Sequence, residues 1–355
     1  MKKRVLITGG CGFVGSGLAL GFKTKYPEYE IVALDNLKRR GSELNIPRLK
    51  SAGIQFVHGD IRNKEDLNAV PKVDLLIDAA AEPSVMAGIN GSPDYLIHSN
   101  LNGTINCLDL AREHGSDFLF LSTSRVYPIA DIEKIDTYET EDRFEIAAQQ
   151  QIQGMSEKGI SEKFPLENSR SLYGATKLAA ELFVKEYGET YGIKTIVNRC
   201  GVLTGPWQMG KLDQGVIVLW VARHFWKSDL NYIGYGGEGK QVRDLLHIND
   251  LFELVDHQSN NFEKLNGQTF NVGGSREVSL SLKELTQLCE EVTGNHINIH
   301  KIVENRPADI KLYITDNSKV TAATGWVPKT NPRQIVQDIY DWIKNNEDAL
   351  KNILN

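Results

Sequence analysis

Through the first 200 residues, short apolar runs rich in β-branched side chains alternate with longer stretches whose apolar positions recur every three or four residues. The runs predict strands over 4–8, 30–35, 54–58, 74–79, 117–122 and 194–198, and the longer patterns predict helices, most clearly over 95–113 and 172–191. Strands that are apolar throughout and separated by helices build a parallel sheet with crossover helices on both faces. Periodicity alone therefore gives the fold class: α/β, with a doubly wound parallel sheet. Beyond residue 200 the spacing loosens around glycine-rich turns at 234–239 and 273–274, with helices near 281–292 and 332–344. This predicts a first domain over 1–200, rejoined by part of 245–270, and a smaller C-terminal α/β domain over 201–355. The polar stretch 128–170, with Gln149-Gln150-Gln151, shows no period. It reads as a long loop with one or two short helices, either a lid or a surface elaboration without catalytic part.

The bulk numbers narrow the function. A chain of 355 residues, 41% of them hydrophobic, can bury a large core. A formal charge of -6, from 46 acidic and 40 basic residues, leaves no polycationic footprint for nucleic acid. The apolar run Arg4-Val5-Leu6-Ile7-Thr8 meets glycines too soon for a secretory core or a membrane span, so a cytoplasmic enzyme without a membrane partner is expected. Cys11, Cys107, Cys200 and Cys289 lie far apart and the eight histidines show no HExxH spacing, so reduced thiols and no metal are expected.

Chemistry enters at Thr8-Gly9-Gly10-Cys11-Gly12-Phe13-Val14-Gly15, which follows the first strand and opens the first helix. Of Gly9, Gly12 and Gly15, one permits a tight turn, one lets the backbone approach a pyrophosphate, and one lets the helix pack on the sheet, while the helix N-terminus offers free N–H groups. The placement makes this a dinucleotide site of Rossmann type. Asp35, with Asn36 beside it, lies twenty residues after Gly15 at the end of the second strand, where a carboxylate accepts both ribose hydroxyls. That favours NAD over NADP. Lys38, Arg39 and Arg40 offer charge for a 2′-phosphate, but the Asp35 carboxylate repels one. Asp60 and Ile61, after the third strand, either flank the adenine or form an ordinary loop, and Ala79, Ala80 and Ala81 are small enough for a cofactor to lie against them.

Tyr173 and Lys177 are four apart at the start of a helical pattern and so share a face. That is the arrangement a tyrosinate base requires: a free phenol titrates near 10, and lowering it by three units takes roughly 4 kcal/mol, which Lys177 and a positive nicotinamide together can supply. Thr123, in Leu121-Ser122-Thr123-Ser124-Arg125-Val126-Tyr127, ends the fifth strand and brings a hydroxyl to the same substrate oxygen.

On the glycine turn, Thr123 and the Tyr173–Lys177 pair, the chain resembles the extended short-chain dehydrogenase/reductases, in the nucleotide-sugar epimerase and dehydratase branch, over essentially its whole length. The resemblance implies that Tyr173 is the acid/base, that Lys177 lowers its pKa and holds the nicotinamide ribose, and that Thr123 orients the reacting hydroxyl. It implies that Asn100, in Asn100-Leu101-Asn102-Gly103-Thr104, supports the site beside the cofactor. It further implies substrate contacts from Ser124, Arg199 and Gln214, a diphosphate anchor at Arg243 in Gly239-Lys240-Gln241-Val242-Arg243-Asp244, and a second nucleotide-binding position at Arg306 and Asp309. Asp213-Gln214-Gly215, the segment 239–244 and the long insertion are most similar to CDP-paratose (CDP-tyvelose) 2-epimerases, so a CDP-sugar is the favoured substrate. Dehydratases of this branch carry Asp-Glu after the threonine; here Ser124-Arg125 stands instead, which disfavours elimination of water. Pro128 departs from the branch's usual glycine. The rivals are a 4-epimerase or 4-reductase of another nucleotide sugar and a non-catalytic NAD-binding scaffold. Relatives pair through helices of the sheet domain, which makes 95–113 and 172–191 the expected interface of a homodimer or homotetramer.

Overall fold

The computed structural model describes residues 3–89, 91–211 and 214–354. Asp213, part of the segment likened to the 2-epimerases, lies outside them. Seven strands form one all-parallel sheet: β1 (Arg4–Thr8), β2 (Glu30–Asp35), β3 (Gln55–His58), β4 (Leu75–Asp78), β5 (Asp117–Thr123), β6 (Thr195–Cys200) and β7 (Gln268–Val272). Their spatial order is β7-β6-β5-β4-β1-β2-β3. The order reverses between β1 and β4, and in such sheets ligands bind beyond the carboxyl ends at that switch point. The first six strands match their sequence-based bounds to within two residues at each end. The seventh was not expected, because Phe270 and Val272 are its only apolar residues and its pairing with β6 is set by the chain returning from the other half of the molecule.

Helices α1 (Phe13–Lys25), α2 (Gly103–His114) and α3 (Leu172–Tyr191) are crossovers of this sheet. Where one helix was expected over 95–113, a π turn (His98–Asn102) precedes α2. The extra residue turns both Ser99 and Asn100 inward. The second half contributes α4 (Val216–Phe225), α5 (Ile248–Asn260), α6 (Leu282–Thr293) and α7 (Pro332–Asn345). Of these, α5 packs on α1: side chains built at Gly17 and Gly21 would stand 2.5 Å from Ile248 and Phe252. The rings of Phe22 and Phe252 meet edge to face at 5.3 Å. A separate cluster joins α4, α6 and α7 through Trp220, Leu285, Ile339 and Ile343. Its small sheet pairs 242–247 with 202–204, 279–281 and 312–313.

The insertion 128–170 is not the loop its composition suggested. It holds a short helix (Ile129–Ile132) and two hairpins, Thr137–Glu139 with Phe144–Ile146 and Met155–Ser156 with Gly159–Ile160. Strands of two or three residues are too short to show a period of two. Ile132, Ile146, Ile160 and Phe164 pack with Val242, Leu312 and Ile314 of the second half. The Ile160 amide donates to the Ile314 carbonyl at 2.8 Å and that of Phe144 to Lys240 at 3.1 Å. None of its residues lines the main cavity, so of lid and elaboration the structure favours the second.

Candidate active site

A cavity of about 750 Å³ opens beyond the carboxyl ends of the parallel sheet and runs on to the second half of the chain. Its size is ordinary for a pocket that encloses a cofactor and a small substrate.

One end is made of backbone and small residues. Gly9 takes φ +61°, and the Gly12 amide donates back to its carbonyl at 2.9 Å. A Cβ on Gly15 would lie 2.1 Å from that same carbonyl, so Gly15 is what lets α1 start directly against the turn. Gly10, not singled out from sequence, performs the matching service toward β2, where a Cβ would meet Ala33 at 2.6 Å. A Cβ on Gly12 would meet nothing nearer than 3.1 Å, and it supplies no capping side chain. The first turn of α1 contains no acidic residue. Its orphan N–H groups and positive dipole end are thus available to an anion, which is what a dinucleotide pyrophosphate needs. Phe13, Val14, Ala79, Ala80, Ala81 and Ile61 line the same end.

Asp35 also lines it, its oxygens accepting from the amides of Cys11 (2.9 Å) and Leu37 (2.8 Å). Burial nevertheless raises its pKa. Asn36 donates to Asp60 at 2.9 Å, and Arg62 grips Asp60 through two bonds of 2.9 and 2.7 Å. Burial raises the Asp60 carboxyl, but these partners outweigh it and hold it at about 2.

At mid-cavity, Thr123, Tyr173 and Lys177 converge. Ser171 caps α3, accepting from the Gly174 amide at 3.2 Å, and a Cβ on Gly174 would sit 2.0 Å from the Arg125 carbonyl. That close approach seats the start of α3 on the turn after β5. It brings the Tyr173 hydroxyl close enough to Thr123 for that hydroxyl to pull the phenol's pKa downward. One turn on, Lys177 is 1% exposed and its ammonium lies 3.8 Å from the centre of the Phe120 ring. Burial lowers its pKa to about 8, against the pull of Asp78 and Glu181. The phenol's pKa is not lowered by the protein groups alone. Burial pushes Tyr173 up to about 12, with Thr123 and Arg125 pulling downward. Desolvation of a phenolate outweighs these partners, so a tyrosinate needs further positive charge beside it.

The far end is built from charged side chains. Arg243 donates to Asp309 (3.0 Å) and to the Ile310 carbonyl (2.7 Å), and Arg306 stands 3.8 Å from the other Asp309 oxygen. Ser124 and Gln214 line the cavity too, the latter accepting from Arg39 at 2.6 Å. Arg125, whose role the sequence reading left unassigned, is also in the wall and donates to the Ala308 carbonyl at 3.2 Å. Its signal was there: a cation directly following a hydroxyl at a strand's carboxyl end.

Two expected contacts do not reach the cavity. Arg199 is buried, forms a 2.7 Å ion pair with Glu181 and donates to the Tyr127 hydroxyl at 3.2 Å. Burial lowers its pKa, but Glu181 outweighs it and raises it. Glu181 also receives the Ser122 hydroxyl. Arg199 therefore belongs to the wall between β6 and α3, not to a substrate site. Asn100 is likewise 0% exposed: its amide brackets the Glu82 backbone (2.7 and 3.0 Å) and reaches Thr176 at 3.3 Å. It fixes the segment after β4 from behind and does not face the cofactor.

The NAD dependent epimerase/dehydratase family matches residues 5–273, a span that includes the glycine turn, the Thr123–Tyr173–Lys177 meeting point and Arg243. The chain belongs to this family. It is accordingly an enzyme of NAD-dependent type. Among relatives, it is 33% identical over 350 residues to CDP-paratose 2-epimerase of Salmonella typhi, covering 96% of this chain and 98% of that one. Its fold superposes on that of a double mutant of the dTDP-glucose 4,6-dehydratase DesIV from Streptomyces venezuelae, solved with NAD bound, at TM-score 0.80 and 25% identity over 99% of both chains. It also resembles UDP-glucose 4-epimerase of Thermus thermophilus in complex with NAD, at TM-score 0.75 and 25% identity over 96% and 99% of the two chains. Members of the family act on nucleotide-activated sugars, and the fold class read from sequence, a doubly wound Rossmann sheet, is the one observed. No described helix is long and apolar enough to cross a membrane.

Proposed function

We propose that the chain inverts the C2 carbon of a CDP-activated deoxysugar, through a keto sugar that never leaves the cavity. The observation that carries the redox chemistry is the meeting of the Tyr173 hydroxyl with Thr123 in the one cavity that also contains Lys177 and the glycine turn. The position on the sugar and the cytidine base rest on the full-length similarity to a CDP-paratose 2-epimerase.

In this reading the glycine turn and the start of α1 hold the pyrophosphate of NAD, Asp35 the adenosine ribose, and Lys177 the nicotinamide ribose. NAD when bound takes hydride from the sugar carbon and gives it back. Thr123 fixes the substrate hydroxyl, and Tyr173 removes its proton at the phenolic oxygen and later returns it. The phenolate stands at about 12 in the protein alone, so the added positive charge of the oxidised cofactor is what brings it into working range. Arg243, Arg306 and Ser124 hold the substrate's diphosphate end and let the keto sugar turn its other face. The parallel-sheet half is the cofactor domain, rejoined by α5 and β7, and the remainder is the sugar-nucleotide domain. We further assign subunit pairing to α2 and α3, since α3 leaves Leu182 and Phe183 60% and 42% exposed.

Incubation with CDP-paratose, followed by NMR, tests the reading. Equilibration of the two C2 epimers without added reduced nicotinamide is expected. Inversion at C4 of UDP-glucose, or a stoichiometric need for reduced cofactor, would replace it with a 4-epimerase or a reductase. Inertness toward every nucleotide sugar would leave a binding scaffold.

A further inference from the structure

Arg125 ties together two parts of the cavity that are otherwise separate. Its backbone belongs to the proton-transfer end: the amide donates to Thr123 Oγ1 at 3.2 Å, and the carbonyl is what a Cβ on Gly174, next to Tyr173, would strike. Its side chain belongs to the charged end, where it donates to the carbonyl of Ala308, between Arg306 and Asp309. That turn holds Ala308 at φ 59°, a left-handed conformation that costs a non-glycine residue about 1 kcal/mol or more. The strained carbonyl fixes one of the guanidinium's five N–H donors, and the planar fork keeps the rest in a set direction.

We infer that Arg125 anchors the substrate's β-phosphate beside the hydroxyl that Tyr173 deprotonates, and so selects which sugar carbon reacts. The inference rests on the epimerase reading above and adds a residue to it. In a sugar nucleotide, C2 is three bonds from the β-phosphorus, and C4 is five. An enzyme that works at C2 must therefore bring a dianionic diphosphate close to its own tyrosine, where burial makes an unpaired anion costly. A cation is needed at that junction, and Arg125 is the one that spans it. Arg243 and Arg306 meet Asp309 further along. The guanidinium groups of Arg125, Arg243 and Arg306 outnumber the carboxylates of Asp309 and Glu133 that act on them, leaving a net positive end that suits a diphosphate. Burial lowers Arg125 only to about 10, so it stays a cation at neutral pH.

The test compares NAD-loaded wild type, Arg125→Gln and Arg125→Lys in binding CDP against CMP, and UDP against UMP, by calorimetry. The wild type is expected to prefer the diphosphate by at least about tenfold, since the β-phosphate gains charge-assisted bonds. Arg125→Gln is expected to remove most of that preference, and Arg125→Lys, a point charge in place of a fork, to keep part of it. An unchanged preference in both variants overturns the proposal. Should Arg125→Gln not fold, Arg125→Lys decides alone: a preference equal to that of wild type overturns it. Product NMR on the wild type separates the two claims. A C2 product with unaltered phosphate preference in the variants removes the anchor and leaves the epimerase; a C4 product with a lost preference removes the C2 assignment and leaves a phosphate contact at Arg125.

Discussion

The two ends of the cavity are built by opposite means. The end at β1 and β2 is made of glycine, alanine and backbone amides: Gly9, Gly12, Gly15 and Ala79–81 make room, and the free N–H groups of α1 make the field. The end at the second half is made of long charged side chains, Arg125, Arg243, Arg306 and Asp309, brought from three separate segments. A dinucleotide of fixed shape can be held by backbone, whose geometry one local segment determines. A variable sugar nucleotide is held by side chains, which loops can exchange without disturbing the sheet. Mid-cavity, Thr123, Tyr173 and Lys177 stand where the two constructions meet.

That contrast can be broken most directly at the meeting point. Tyr173→Phe is expected to lower turnover by about a thousandfold, as loss of a general acid/base does, while retention of NAD and melting temperature stay near wild type. Near-normal turnover would remove the phenol from the chemistry. Arg199→Met probes the wall instead. Leaving Glu181 buried and unpaired is expected to cost about 3–5 kcal/mol of unfolding free energy in denaturant titrations, with no loss of diphosphate preference in whatever remains folded. A selective loss of substrate affinity at full stability would return Arg199 to the substrate site. Arg243→Ala is expected to raise KM about 10–100-fold with NAD content unchanged, the loss of charge-assisted bonds worth about 1.5–3 kcal/mol. Equal loss of NAD would mean that the two ends are not separately built. The smallest effect concerns Asp244, which follows Arg243 on the same strand and which burial raises to about 6. The folded protein keeps this proton up to about pH 6, whereas the unfolded chain releases it near pH 4. Between those values the folded state binds more protons, so this group makes stability fall as pH rises. Asp244→Asn should gain on wild type in melting temperature from pH 4 to pH 6, and a constant difference would refute the assignment.

The same contrast explains what was legible. The glycine turn, Asp35 and the pair Tyr173–Lys177 could be read because each is local: a turn between one strand and one helix, a residue at one strand's end, two side chains one helical turn apart. Arg199 and Asn100 were misread because sequence names a residue type without saying which way a strand or helix faces it. The Arg199 side chain of β6 points to Glu181 on α3, and a π turn redirects Asn100 toward Glu82. The insertion misled because its hairpins are too short to show periodicity and are held by contacts with residues 240–314.

The fold class, the dinucleotide turn and the three residues at the centre were legible in the chain alone, since all of these follow from spacing along a few neighbouring residues. Folding in three dimensions was needed to show that β7 completes the sheet, that the insertion stays out of the cavity, and that Arg125 reaches from Thr123 to the turn at Ala308. Those outcomes depend on contacts between segments far apart along the chain, from Ile196 with Gln268 to Arg125 with Ala308, and no local period encodes such a meeting.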